Sequence, residues 1–143
     1  MSEEWKHASW VSTLGKWAWG IGIISGIIDI IVGFTGAISS VTLVLGLVLF
    51  SVGNYIWLII SGIIIILISF FIIKPKFSDK CAAQDWDYLL NWVIPLGNIR
   101  FPWMLFWGII VDIFGYWWGG LPILIPALVL IFAGPKPYEW KTE

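Results

Sequence analysis

Residues 17–73 read WAWGIGIISGIIDIIVGFTGAISSVTLVLGLVLFSVGNYIWLIISGIIIILISFFII, and Asp29 is the only charged residue among these 57. A single helix of that length would be about 85 Å long, against a hydrocarbon layer of about 30 Å. The run must therefore fold back on itself. Turn-forming residues divide it at Gly33, Gly36 and Ser39-Ser40, and again at Gly53-Asn54. The resulting segments are 17–36, 38–52 and 54–73, which together form a first half, 17–73.

A second apolar run, 101–134, has Asp112 as its only charge. Gly119-Gly120 followed by Pro122 divides it, since Gly closes helices and Pro suits a first turn. The second half, 99–134, thus holds segments 99–118 and 120–134. Around these lie an N-terminal interfacial stretch, 1–16, a polar loop, 74–98, and a polar tail, 135–143. In the loop, Trp86, Leu89, Leu90 and Val93 recur at helical spacing up to Pro95, as in a short amphipathic helix on a membrane surface. Trp5 to Leu14 forms a weaker one.

Composition agrees. The 143 residues are 59% hydrophobic and 12% charged, with mean hydropathy +0.92. Soluble domains run at about 45–50% apolar and about 25% charged. Eight basic residues face nine acidic ones, which leaves no electrostatic footprint for nucleic acid. The expected fold is an all-α, polytopic helical membrane protein with one membrane domain, 1–143. Glu3 and Glu4 sit poorly in a signal leader, so the run from Trp17 is expected to be a retained first crossing.

Five segments allow five crossings or four. With four, every Lys and Arg lies on one side together with both termini. With five, Lys6 and Lys16 oppose Lys74, Lys76, Lys80, Arg100, Lys136 and Lys141. Segment 38–52 is apolar all round and has no polar face for the interface, so five crossings are favoured.

The chain also partly matches itself at an offset of 82. Trp10-Val11 aligns with Trp92-Val93, Leu14-Gly15 with Leu96-Gly97, and Gly26-Ile27-Ile28 with Gly108-Ile109-Ile110. Ten of the 43 pairs between 10–52 and 92–134 are identical, where about 3–4 would be expected by chance, which suggests an internal duplication.

One cysteine, Cys81, and one histidine, His7, exclude an internal disulfide and give no metal-ligand set. No phosphate loop, nucleophile elbow or zinc-protease motif is present. No metal, cofactor or enzymatic activity is expected. An enzyme acting on lipid, with Asp85, Asp87 and His7 at the interface, is the weakest reading.

The two acids in apolar segments are the candidates for chemistry. Asp29 shares a stripe with Gly22, Gly26 and Gly33, and Asp112 shares one with Gly108 and Gly115. Small residues let helix backbones approach closely, so each acid lies on a packing face. Trp17, Trp19, Trp57, Trp103, Trp117 and Trp118 stand near segment ends, as interfacial anchors do. The expected function is a non-catalytic structural or accessory component. It would pack through its Gly-rich faces against copies of itself or other membrane subunits, with the lipid bilayer as its constant partner. The alternative is a small proton or cation translocator using Asp29 and Asp112. Neither the substrate nor the host membrane is legible.

Overall fold

The computed structural model describes residues 5–41, 48–115 and 118–141. It is mostly helical. Helix α1 spans Ala8–Val41 and α2 spans Val48–Ile68. A π-helical segment, Ser69–Ser78, and α3, Asp79–Ala82, continue α2 without a break into one rod. Then follow α4 (Trp86–Asn91), strands β1 (Val93–Leu96) and β2 (Ile99–Pro102), α5 (Trp103–Phe114) and α6 (Leu121–Ala133). Two stretches, Ala8–Ser40 and Val52–Ala82, are long and apolar enough to span a membrane.

The break expected at Gly33, Gly36 and Ser39-Ser40 does not occur, and α1 runs through it for 34 residues, about 51 Å. Hydroxyls in this stretch bond carbonyls of their own helix. Thr35 Oγ1 donates to the Ile31 carbonyl at 2.8 Å, and Ser39 Oγ donates to the Thr35 carbonyl at 2.8 Å. Segment 38–52 is accordingly not a separate element: 38–41 end α1, 48–52 begin α2, and 42–47 lie outside the described residues. Helix α1 starts at Ala8, so the interfacial stretch and the first segment are continuous as helix across residue 16.

At the other end, Lys74-Pro75-Lys76 does not stop the rod. Pro75 has no N–H and its ring crowds the carbonyl one turn back, which a regular α-helix cannot absorb. The wider π turn absorbs it: the Asp79 N–H bonds the Lys74 carbonyl, five residues back. This widening also aims the rod. Ile65, Ser69, Ile73, Phe77 and Cys81 are buried at steps of four. A four-residue row would drift around a 3.6-residue helix, and the π segment returns it to the same face.

The α1 helix and the rod pack antiparallel. A Cβ on Gly26 would lie 2.6 Å from the Gly62 carbonyl oxygen, and one on Gly33 would lie 2.7 Å from that of Tyr55. Gly22 faces Ser69, Gly15 faces Cys81 and Gly36 faces the Tyr55 ring. These glycines bring the two backbones together.

The polar loop is not simply helical. Helix α4 stops at Asn91, and Val93 opens an antiparallel hairpin paired from Val93↔Pro102 to Leu96↔Ile99. Gly97, at φ +62, takes the left-handed conformation of its turn. The tail covers this hairpin's outer edge: the Arg100 N–H donates to the Trp140 carbonyl at 2.8 Å, and the Tyr138 hydroxyl donates to the Arg100 carbonyl at 2.8 Å. Residues 99–102 therefore belong to a strand, which corrects both the all-α expectation and segment 99–118.

Helices α5 and α6 have 12 and 13 residues, about 18 and 20 Å, well short of a 30 Å layer. They form a short antiparallel hairpin closed at Gly108 against Ile123 and Leu124. Pro122 opens α6 as expected, and Pro126 is buried inside it. The 82-residue offset brings like structures together only in part: Gly26-Ile27-Ile28 and Gly108-Ile109-Ile110 are both helical, while other matched pairs differ. Trp10-Val11 and Leu14-Gly15 are helical, whereas Val93 and Leu96 lie in β1 and Gly97 in its turn. Gly33 is within α1, whereas Gly115 ends α5.

Candidate functional site

Helix α1 buries Ala8, Val11, Gly15, Ala18, Gly22, Ser25 and Asp29, an unbroken alternation of three- and four-residue steps. Such a heptad row forms a packing seam. Its members are small or polar, while the outward positions are large and apolar, as with Ile24, Ile27, Ile31 and Phe34. The rod answers with Ser61, Ile65, Ser69, Ile73, Phe77 and Ser78.

Ser25, Asp29, Ser61, Ser69 and Ser78, each no more than 1% exposed, make up the buried polar side chains among the described residues. All five lie on α1 or the rod. Ser78 Oγ accepts the Trp19 N–H at 3.3 Å. Ser69 lies against Gly22. Ser25 Oγ donates to the Gly115 carbonyl at 3.4 Å, and the α5–α6 turn seats Gly115 and Gly119 on that serine. Asp29 packs against Gly62, where an added Cβ would lie 3.2 Å from its own. Asp29 Oδ2, Ser61 Oγ and Ser69 Oγ have no hydrogen-bond partner. A buried polar atom left without a partner costs about 1–3 kcal/mol, so three on one seam call for a reason.

Asp112 differs. Its Oδ1 accepts the Gly120 N–H at 3.0 Å, so the carboxylate closes the α5–α6 turn. The two acids of the sequence pattern are therefore inequivalent. The glycines expected to receive partner subunits, Gly22, Gly26, Gly33, Gly108 and Gly115, all face helices of their own chain.

The tryptophans divide by position. The Lys16 ammonium lies 5.7 Å from the centre of the exposed Trp17 ring, and that of Lys74 lies 4.8 Å from Trp19. Trp103 stacks between Trp92 and Trp107 near the β hairpin. Trp57 meets Phe114. Trp118 stands beside the Gly119 that covers Ser25, at the inner end of the short hairpin, and Trp117 lies outside the described residues.

Charge gathers at one end. Trp5 Nε1 donates to the Ala133 carbonyl at 2.7 Å, which joins the start of α1 to the end of α6. Lys136 pairs with Asp87, Lys80 with Asp85, and Arg100 with both Asn91 and Glu139. Burial pushes the Tyr138 hydroxyl above its ordinary range, and the nearby Arg100 offsets part of that. His7 belongs to an aromatic cluster, its Nδ1 accepting from Trp10 Nε1 at 3.1 Å. Among the described residues no three His, Cys, Asp or Glu side chains come together as a metal site.

Sequence reasoning singled out Asp29 but did not bring Ser25, Ser61, Ser69 and Ser78 together with it. The three–four spacing of small residues from Ala8 to Asp29 was the available signal for the seam. The chain matches no protein-family model, no curated protein and no solved structure.

Proposed function

We propose that the chain is an integral membrane protein acting as a non-catalytic component of a membrane assembly. In this reading α1 and the rod cross the bilayer, and the α5–α6 hairpin enters from the charged end and turns back inside the apolar layer. The observation that carries it is the separation of charge. Residues 30–73 hold no charged side chain, while the described Lys and Arg residues lie at or near the joined ends of α1, the rod and the tail. From Trp17 to Val41 the helix measures about 37 Å, enough to cross a layer of about 30 Å. Two crossings then replace five, and both ends of the chain share the side rich in Lys and Arg.

Association through the glycine faces is not part of this proposal, because those faces are occupied within the chain. Partner subunits then meet the charged end or the outward Ile and Phe side chains. The alternative of paired carboxylates carrying ions loses Asp112 to the Gly120 amide.

Single cysteines at Lys6, Asn54 and Lys136, in a Cys81→Ser background, test the topology with an impermeant thiol reagent on sealed vesicles. Residues 6 and 136 should label from one side and residue 54 from the other. Labelling of 6 and 136 from opposite sides overturns the arrangement. Crosslinking in native lipid tests the assembly: a lone monomer with no crosslinked neighbour rejects the component reading.

A further inference from the structure

We propose that the cavity between α4, β2 and the tail binds the phosphoethanolamine headgroup of a membrane lipid, its phosphate on Arg100 and Lys136 and its ammonium on Glu139. This inference rests on the membrane reading above and deepens it by naming a ligand for the charged end.

The cavity has a volume of about 110 Å³. Asn91 at the end of α4, Arg100 on β2, and Lys136, Tyr138 and Glu139 of the tail line it. One water takes about 30 Å³ in the liquid, so the space suits a small polar group of several atoms. Its walls are tied together by backbone and side-chain bonds. The tail is held on β2 by the Arg100 N–H, which donates to the Trp140 carbonyl, and by the Tyr138 hydroxyl, which donates to the Arg100 carbonyl. Arg100 Nη2 donates to Asn91 Oδ1 at 3.0 Å and so ties β2 to α4. The Arg100 side chain is only 17% exposed, which fixes its guanidinium in the wall.

The charges select the ligand. A guanidinium presents five N–H donors in a flat fork that matches a phosphate, and Lys136 adds a second cation to the same cavity. Two carboxylates stand beside them: Glu139 lies 3.5 Å from Arg100 Nη1, and Asp87 pairs with Lys136. These acids are 80% and 79% exposed, so their ion pairs are of the weak surface kind and yield to a ligand. Two cations next to two carboxylates complement a zwitterion. An anionic headgroup would meet Glu139 and Asp87 as well as the cations. A quaternary ammonium has no N–H to donate and is bound by aromatic cages, whereas Tyr138 is the one ring among the described lining residues. A primary ammonium donates directly to Glu139.

The surroundings supply the rest of the lipid. Trp140 follows Glu139, its ring lies 6.4 Å from that of Phe132, and Ile99 pairs with Lys141 next to it. Phe132, Ile99 and Trp140 are all exposed. A headgroup in the cavity sets its acyl chains on this apolar patch, beside the end of α6 at Ala133. The patch is what favours a lipid over a soluble amine phosphate.

The test is native mass spectrometry of the full chain released from detergent. It is titrated in turn with phosphatidylethanolamine, phosphatidylcholine and phosphatidylglycerol of identical acyl chains, and with soluble glycerophosphoethanolamine. Phosphatidylethanolamine should bind about tenfold tighter than either other lipid and than the soluble headgroup. Glu139→Gln should reduce that preference to about threefold or less, with phosphatidylglycerol bound no more weakly than by wild type. Arg100→Lys keeps the charge, loses the fork and should weaken all three lipids; if that variant does not fold, Lys136→Ala should do the same. Equal binding of the three lipids to wild type, or a preference for phosphatidylglycerol or phosphatidylcholine, overturns the headgroup assignment. An unchanged preference in Glu139→Gln overturns the ammonium site, and unweakened binding in the cation variants overturns the phosphate site. A soluble headgroup that binds as tightly as the lipid overturns the lipid as its source. Protein that leaves native vesicles on alkaline washing overturns the membrane reading, whereas a missing preference in protein that resists washing overturns the pocket alone.

Discussion

The long hairpin of α1 and the rod, and the short hairpin of α5 and α6, are built from the same materials. Each packs helices across glycines, and each carries one aspartate among apolar residues. In the short hairpin the acid is used at once: Asp112 takes the Gly120 amide and closes the turn. In the long hairpin Asp29 sits against Gly62 with an oxygen unpartnered. The same residue in the same kind of pattern is a turn clamp in one place and an uncommitted buried group in the other. What separates them is whether a chain reversal brings free backbone N–H groups within reach. Asp112 stands eight residues before Gly120, and Asp29 stands in mid-helix, where every amide is already bonded.

The largest expected effect breaks the long hairpin at its closest approach. Gly26→Leu must displace the Gly62 backbone as well as Ile66, so the folded protein should be lost from detergent extracts on gel filtration. Overpacking a tight core costs about 1–3 kcal/mol or more, and a backbone obstacle puts this site at or beyond the upper end. Gly108→Ala meets chiefly the flexible end of Leu124 and should cost less, about 1 kcal/mol by thermal unfolding. Equal losses at the two sites would erase the contrast between the hairpins.

The acids sharpen it next. Asp112→Ala strands the Gly120 N–H and should destabilise by about 1–3 kcal/mol, while Asp112→Asn should avoid most of that loss because its amide oxygen still accepts. Asp29→Asn should change stability by less than about 1 kcal/mol, since no bond to Oδ2 is broken. A reversed order in urea or thermal titrations would contradict the assigned roles. The smallest effect belongs to the charged end. Lys136→Ala removes an ion pair with the exposed Asp87, and such pairs are worth about 0–1 kcal/mol, so the melting temperature should barely move.

Why the long hairpin was harder to read is visible in its buried row. Gly22, Gly26 and Gly33 read as a small-residue stripe, but Gly33 reads equally as a turn former. Gly33, Gly36 and Ser39-Ser40 are turn signals in water, where helix hydroxyls and glycines are costly. Here Ser39 and Thr35 bond their own helix's carbonyls, and Gly33 and Gly36 admit a neighbouring chain. The usual contrast of apolar inside and polar outside is inverted along α1, so hydrophobic periodicity does not reveal the seam. Segment 54–73 is expected to end before Pro75 because proline breaks a regular α-helix, and the π turn that accommodates it has no signal in hydrophobic spacing. The β hairpin was hidden because Trp86, Leu89, Leu90 and Val93 fit a helix, and only the tail's bonds to Arg100 show why the chain turns extended after Asn91.

Composition and charge order alone determined that this chain is more apolar and less charged than soluble domains usually are, that its charges avoid 30–73, and that two acids stand apart from all others. These are properties of residues and hold in any conformation. Tertiary structure decided where the helices end, that the glycines meet partners within their own chain, and that Asp112 is bonded while Asp29 is not. Each of those depends on which backbone comes close to which side chain, and that is set by packing between segments far apart in sequence.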